Sequence, residues 1–276
     1  MTKITPIAEM STDRTFFAHV GPTRVRVRTV GDGPALLLLM GIGGNLDMWD
    51  PLAQRLPGRR LIMFDFPGAG ASSSSFLPPT MMHNALFTRL LMLRLGYGRA
   101  DVLGYSWGGL LAQELAFQHP WAVRRLVLAA TSLGLSGIPP APQVIWRMLT
   151  TRRFYSPEYL AEIAASTYGG RFRREPELVA GEVARRIGHP PSRTGYALQL
   201  SAVLSYSGFP LLPWITARTL VLAGDDDPIV PTLNQRILSK LLRRSELQLV
   251  PRAGHLLLID TPDVAANTIE RFLTRP

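Results

Sequence analysis

The sequence predicts an α/β fold: a mostly parallel, eight-stranded sheet flanked by helices and interrupted by one helical insertion. Three observations predict it. Short, uniformly apolar runs alternate with stretches of helical apolar spacing. The connections between them are brief and rich in Gly, Pro and Ser, as in strand–helix–strand units. From 133 to 213 the alternation stops, then resumes.

In chain order, TFFAHV (15–20) and RVRVRTV (24–30) come first; the second alternates polar and apolar, as a half-buried antiparallel strand does. ALLLLM (35–40) is apolar throughout, which marks a strand covered on both faces, and it runs into GIGG. A helical stretch over 46–56 leads to the buried strand LIMFD (61–65) and the loop FPGAGASSSS. Met, Leu and Phe recur at helical spacing over 80–95. DVLGY (101–105) is a strand, 108–118 a helix, and RRLVLAAT (124–131) a strand. Several helix-like pieces follow, broken by PPAP, SPE, YGG, REP and HPP. ARTLVLAGD (217–225), a helix over 233–242, SELQLV (245–250) and a last helix over 262–273 restore the rhythm. The chain is thus expected to form a core from 1–132 and 214–276, with a helical cap over 133–213.

Composition narrows the function. The 276 residues are 46% hydrophobic, enough for one sizeable core. There is no cysteine, which excludes disulfides, thiolate metal sites and thiol catalysis. The formal charge is +10, nearly all from scattered arginines, the only lysines being Lys3 and Lys240. No basic-plus-aromatic stripe or helix-turn-helix pattern accompanies it, so nucleic acid is not expected as a partner. MTKITPIAEMSTDRTFFAHV lacks the apolar centre of a signal peptide, and no run approaches the ~20 apolar residues of a membrane helix. These features predict a soluble, cytoplasmic protein with no integral membrane segment.

One stretch carries chemistry. In LGYSWGGLLA (103–112) a serine stands where a strand turns into a helix, and Gly104-Tyr105-Ser106-Trp107-Gly108 fits G-x-S-x-G. A sharp turn there lifts the Ser106 hydroxyl above the sheet. It crowds the positions two before and two after, so Gly104 and Gly108 are structural requirements. A serine hydroxyl needs a base, and the base an orienting acid. Of five histidines, His19 and His83 precede the elbow on a strand and a helix, His119 ends a helix before Pro120, and His189 lies in the insertion. His255 follows the last strand, at the edge where sites of open α/β sheets gather, and is the candidate base. The acid is expected after ARTLVLAG, where Asp225, Asp226 and Asp227 are adjacent and spacing alone does not choose among them. The oxyanion needs two backbone donors: the amide of Trp107 and, from the loop Gly41-Ile42-Gly43-Gly44, that of Ile42. That loop lacks the Lys-Ser/Thr of a phosphate-binding P-loop, which argues against a nucleotide.

With GIGGNL, FDFPGAGASS, LGYSWGGLLAQELA, LVLAAT, YGGRFRREPEL, TLVLAGDDDPIVP and GHLLLI in place, the chain resembles the α/β-hydrolase superfamily along essentially its whole length. Within it, the resemblance is to intracellular medium-chain-length polyhydroxyalkanoate depolymerases, YGGRFRREPEL being the most telling stretch. The resemblance implies Asp227 as the acid, a lid-like insertion, no metal or cofactor, and hydrolysis of poly- or oligo(3-hydroxyalkanoate) esters through an acyl-enzyme. It also implies a polyester granule surface as a candidate partner. One departure is visible: relatives carry His-Gly at the oxyanion loop, and this chain has Met40-Gly41.

The insertion is rich in apolar residues, most of them expected to pack in its own core. Gly41, Ile145, Trp146 and Leu149 are the candidate substrate contacts, in an apolar cleft that would favour alkyl chains by ~0.8 kcal/mol per buried CH₂. Arg171, Arg173 and Arg174 read as a solvated face, the alternative being attraction of a carboxylate product or a granule surface. The rival activities are a general carboxylesterase or lipase, a C–C bond hydrolase, and a hydrolase-fold receptor that binds without turnover. Ser106 at the elbow argues against dehalogenase and epoxide hydrolase chemistry, which require an aspartate there.

Overall fold

Apolar residues on alternate sides of each central strand decide the architecture. The computed structural model describes residues 13–275. The leader reading of the first residues falls largely on 1–12, outside the described residues. Strands β1 (Asp13–Val20) and β2 (Thr23–Val30) form a hairpin, followed by β3 (Ala35–Leu39), β4 (Arg60–Phe64), β5 (Ala100–Tyr105), β6 (Val123–Ala129), β7 (Arg218–Gly224) and β8 (Ser245–Val250). Among the described residues these eight make one sheet in the order β1-β2-β4-β3-β5-β6-β7-β8. β1, β2 and β4 pair antiparallel, and every later neighbour is parallel.

The helices are α1 (Asp50–Ala53), α2 (Met81–Arg94), α3 (Trp107–Gln118), α4 (Pro142–Met148), α5 (Pro157–Tyr168), α6 (Gly170–Arg174), α7 (Leu178–Ile187), α8 (Arg193–Leu204), α9 (Thr232–Leu241), α10 (Leu257–Asp260) and α11 (Pro262–Thr274). Leu36, Leu38, Met63, Leu103, Val127, Leu220 and Leu222 face a core closed by residues of α1, α10 and α11. Their neighbours Leu37, Leu39, Ile62, Val102, Leu126, Leu128 and Val221 face a second core, against α2, α3 and α9. The period of two in side-chain direction fills both layers, and each fully buried Leu contributes roughly 1.5–3 kcal/mol.

Three local differences from the sequence reading have physical causes. The helix expected over 46–56 is a 3₁₀ turn, Leu46–Trp49, followed by the single α-turn α1. Asn45 caps it through the Asp47 amide, and Pro51 cannot donate to a continuing helix. β6 stops at Ala129 rather than at 131, because Ala130 takes a positive φ of 46° and turns the chain away. The short helix α10 lies in HLLLI, where no helix was expected.

Between β6 and β7 the chain runs through α4 to α8, and no strand occurs among these described residues. The segment is anchored to the sheet side of the molecule: Ser192 donates its amide to the Gly68 carbonyl at 3.1 Å, and Gly195 packs on Gly68. No helix among the described residues is long and apolar enough to cross a membrane.

Strand order reverses between β3 and β5. β3 continues toward β4 on one side, and β5 toward β6 on the other. In an open α/β sheet a crevice forms at the carboxyl ends of the strands at such a switch point. The loops leaving β3 and β5 begin at Met40 and Ser106.

Candidate active site

Ser106 occupies a strained turn. Its φ of 54° and ψ of −117° lie where a residue with a Cβ rarely sits, at a cost of about 1–3 kcal/mol that its surroundings must hold. The hold is visible. Its amide donates to the Ala129 carbonyl at 2.9 Å, and its carbonyl accepts from the Gly109 amide at 2.9 Å and the Thr131 hydroxyl at 2.7 Å. A Cβ at Gly104 would meet the Gly108 carbonyl oxygen at 2.3 Å, and one at Gly108 would meet the Leu39 carbonyl oxygen at 2.0 Å. Both positions therefore exclude a side chain, which is the steric requirement that the motif implies.

Of the described histidines, His255 is the one beside the serine. Its Nε2 lies 3.0 Å from Ser106 Oγ and its Nδ1 2.9 Å from Asp227 Oδ2. The ring is 3% exposed and Asp227 7%. Asp227 Oδ1 accepts the amides of Ile229 and Val230 at 2.8 and 2.9 Å, so the carboxylate is oriented before it meets the ring. The loop carrying His255 is pinned from both sides. The His255 amide donates to the Tyr168 carbonyl at 2.8 Å, and the Tyr105 hydroxyl donates to the His255 carbonyl at 3.1 Å. Burial pushes the Tyr105 phenol well above its ordinary pKa, so it stays a donor.

The three neighbouring aspartates divide the work. Asp225 accepts the Arg252 amide at 2.6 Å, Asp226 accepts the Gly170 amide at 2.8 Å and pairs with Arg173 at 3.2 Å, and only Asp227 of the three reaches His255. Arg171 pairs with Glu175, and Arg174 donates to the Arg252 carbonyl at 2.7 Å. The solvated face expected of these arginines is thus partly a set of ties.

The loop after β3 faces the serine. The Gly43 amide is taken by Gln199 Oε1 at 2.8 Å and the Gly44 amide by the Gly41 carbonyl at 3.0 Å. Among the described residues the amides of Ile42 and Trp107 have no protein acceptor. The far end of the loop is held by Asp65, which accepts the Leu46 amide at 2.7 Å and the Ala71 amide at 2.8 Å. Burial raises the Asp65 pKa, and those two amides and Arg26 oppose the rise.

A cavity with an empty volume of about 360 Å³, its open mouth included, adjoins Ser106 and His255. Gly41, Ile42, Met40, Met48, Ile229 and Leu256 line it from the sheet side, and Met148, Arg153, Phe154, Tyr168 and Arg186 from the insertion. Gly41, expected as a substrate contact, lines this cavity. Ile145, Trp146 and Leu149 are not: none lines this cavity, and they are 38%, 75% and 50% exposed. Helical spacing explains the correction. Val144 and Met148, four apart, form the inward stripe of α4, so their neighbours point outward.

The sequence reading also passed over Arg153, Arg186, Glu182 and Tyr168. Arg186 Nε donates to Glu182 Oε1 at 2.6 Å and its Nη1 to the Tyr168 hydroxyl at 2.5 Å. Burial alone would lower the Arg186 pKa, but Tyr168 and Glu182 outweigh it and hold the group charged. The one available signal was Glu182 four residues before Arg186 on a helix, a pair common on solvated faces as well.

Chemically, the arrangement can move a proton from the Ser106 hydroxyl to a ring that a carboxylate orients, next to two free amides suited to a developing oxyanion.

Comparison with known proteins agrees with this geometry. The alpha/beta hydrolase fold family matches residues 34–262. A poly(3-hydroxyalkanoate) depolymerase of Ectopseudomonas oleovorans is 40% identical over 240 residues, 86% of this chain and 83% of that protein. The enol-lactonase of Burkholderia xenovorans LB400 superposes with a TM-score of 0.81 at 25% identity, over 94% of this chain and 100% of that one. A hydrolase from Pseudomonas aeruginosa PA01 superposes with a TM-score of 0.81 at 26% identity, over 95% and 98%.

Proposed function

The chain belongs to the alpha/beta hydrolase fold family and is an ester hydrolase, and on that premise we propose that it cleaves poly- or oligo(3-hydroxyalkanoates) with medium-length side chains through an acyl-enzyme. The observation that carries the reading is the hydrogen-bonded run from Ser106 through His255 to Asp227, at 3.0 and 2.9 Å, opening on a cavity lined by both apolar side chains and arginines. In the proposed mechanism His255 takes the Ser106 proton while Asp227 holds its ring. Ser106 Oγ attacks the ester carbonyl, and the amides of Ile42 and Trp107 stabilise the oxyanion; losing one such donor costs about 3 kcal/mol in the transition state. The alkoxide leaves with the proton from His255, and water releases the acyl group by the reverse sequence. Residues 133–213 act as the cap over this cleft, and the granule surface of the polyester is the proposed partner.

The depolymerase relative supports the substrate class. A second reading is a carboxylesterase of small esters, which the same run from Ser106 through His255 to Asp227 would serve. Turnover of medium-chain polymer, its soluble oligomers, 4-nitrophenyl alkanoates and triglycerides separates the two. Polymer and oligomer turnover that is lost in Ser106→Ala is expected. Turnover of small esters alone would favour the second reading.

A further inference from the structure

Two guanidinium groups line the cavity beside Ser106, and only one of them has a carboxylate. Arg186 is matched by the buried Glu182. Arg153 is 2% exposed and makes no ion pair among the described residues. Its Nη1 donates to the carbonyls of Arg147 and Thr150 at 3.1 and 2.9 Å, and its Nη2 to the Tyr196 hydroxyl at 2.7 Å. Of the five N–H groups of a guanidinium, those on Nε and one on Nη2 remain without a protein acceptor. The rings of Phe154 and Tyr196 lie 4.6 and 5.2 Å from its centre and offset part of the lost hydration. They do not neutralise it. An uncompensated buried charge is among the costliest features a fold can keep, and this one sits at the wall of the reaction cavity.

Resting on the ester-hydrolase reading, we propose that Arg153 binds the free carboxylate of the substrate. The unit that bears it is the leaving group: a terminal 3-hydroxyacyl unit, whose carboxylate is separated from the scissile ester oxygen by only a short carbon bridge. The enzyme would then cleave the last ester of an oligomer from its acid end. In that step the Ser106 Oγ–acyl carbon bond forms and the bond from that carbon to the ester oxygen breaks. The departing alkoxide takes the proton from His255, and the released 3-hydroxy acid carries its carboxylate on Arg153. Water then cleaves the acyl-enzyme and returns the serine hydroxyl. Arg186, already matched by Glu182, contributes positive potential but not an open charge.

Calorimetry on the Ser106→Ala protein tests this without turnover, using the linear dimer of 3-hydroxyoctanoic acid as free acid and as methyl ester. The free acid is expected to bind at least about tenfold tighter, as a charge-assisted hydrogen bond gives. Arg153→Gln in that background should abolish the difference, and Arg153→Lys should keep part of it. If Arg153→Gln fails to fold, the Lys variant and the salt dependence of the acid-to-ester ratio decide: raised salt should narrow the ratio. Equal affinities in the parent, a ratio indifferent to salt, or a preference that survives Arg153→Gln would overturn the proposal. The hydrolase reading fails separately, through absence of Ser106-dependent turnover of neutral 4-nitrophenyl esters.

Discussion

At the scale of single residues, the Asp227 carboxylate is the part whose chemistry can be changed with least change of shape. Asn keeps an oxygen for the Ile229 and Val230 amides but turns a donor toward His255 Nδ1. The ring is then held as the tautomer protonated on Nε2, which cannot accept the Ser106 proton. Asp227→Asn should lower kcat by about 10⁴, the loss known for the matching change in serine proteases, with little change in melting temperature. Steady-state kinetics on a soluble ester reads this directly. A second prediction concerns Glu114 on α3. Burial raises its pKa above the ordinary 4.5, against a smaller opposing hydrogen bond from Gln118. A carboxyl with a raised folded pKa lends stability that is full below its unfolded value and is lost as pH rises through the folded one. Glu114→Gln should therefore gain in melting temperature over the parent as pH is raised from 4 to 8. Melts across that range showing a constant or falling difference would contradict this. Residue-level legibility was uneven. Ser106 and His255 could be read because each stands at the carboxyl end of a recognisable strand. Asp227 could not be separated from Asp225 and Asp226 by spacing, since three adjacent carboxylates differ only in the partners that folding supplies. Arg153 was invisible, because an unmatched charge shows itself only when its surroundings are known.

At the scale of elements, the strand–turn–helix from β5 to α3 is the most constrained unit. The approach of Gly108 to the Leu39 carbonyl oxygen at a notional 2.0 Å leaves no room even for a methyl group. Gly108→Ala should cost about 1–3 kcal/mol or more by overpacking, and should reduce turnover because the turn that presents Ser106 must shift. Chemical denaturation and kinetics on the same sample check both; unchanged stability would mean that the turn relaxes freely. The strands were legible because β3 to β7 are buried along most of their length and read as short, mostly apolar runs. α4 was legible only as one of several helix-like pieces, without bounds or orientation: Ile145, Trp146 and Leu149 are as apolar as Val144 and Met148, and a short helix does not announce which stripe meets the cavity. α10 was missed because one helical turn in HLLLI has the same composition as a buried strand.

At the scale of the whole molecule, the site exists because the strand order reverses between β3 and β5. That reversal puts the Gly41-Ile42 loop and Ser106 side by side, while Asp227 and His255 arrive from beyond β7 and β8. The reversal was not read from the sequence, because the order of strands along the chain does not state their order in the sheet; the insertion was legible as the place where strand patterns cease. What the insertion contributes to the cavity was not, since it depends on which helix faces dock. The central claim is that Ser106 is an activated nucleophile at this convergence. Intact-mass measurement after exposure to a fluorophosphonate, with mapping of the modified peptide, tests it most directly. The account predicts one phosphonyl group per chain, carried by Ser106, absent from Ser106→Ala and formed far more slowly in His255→Ala. Labelling that persists in Ser106→Ala, or ester turnover in that variant within tenfold of the parent, would contradict it.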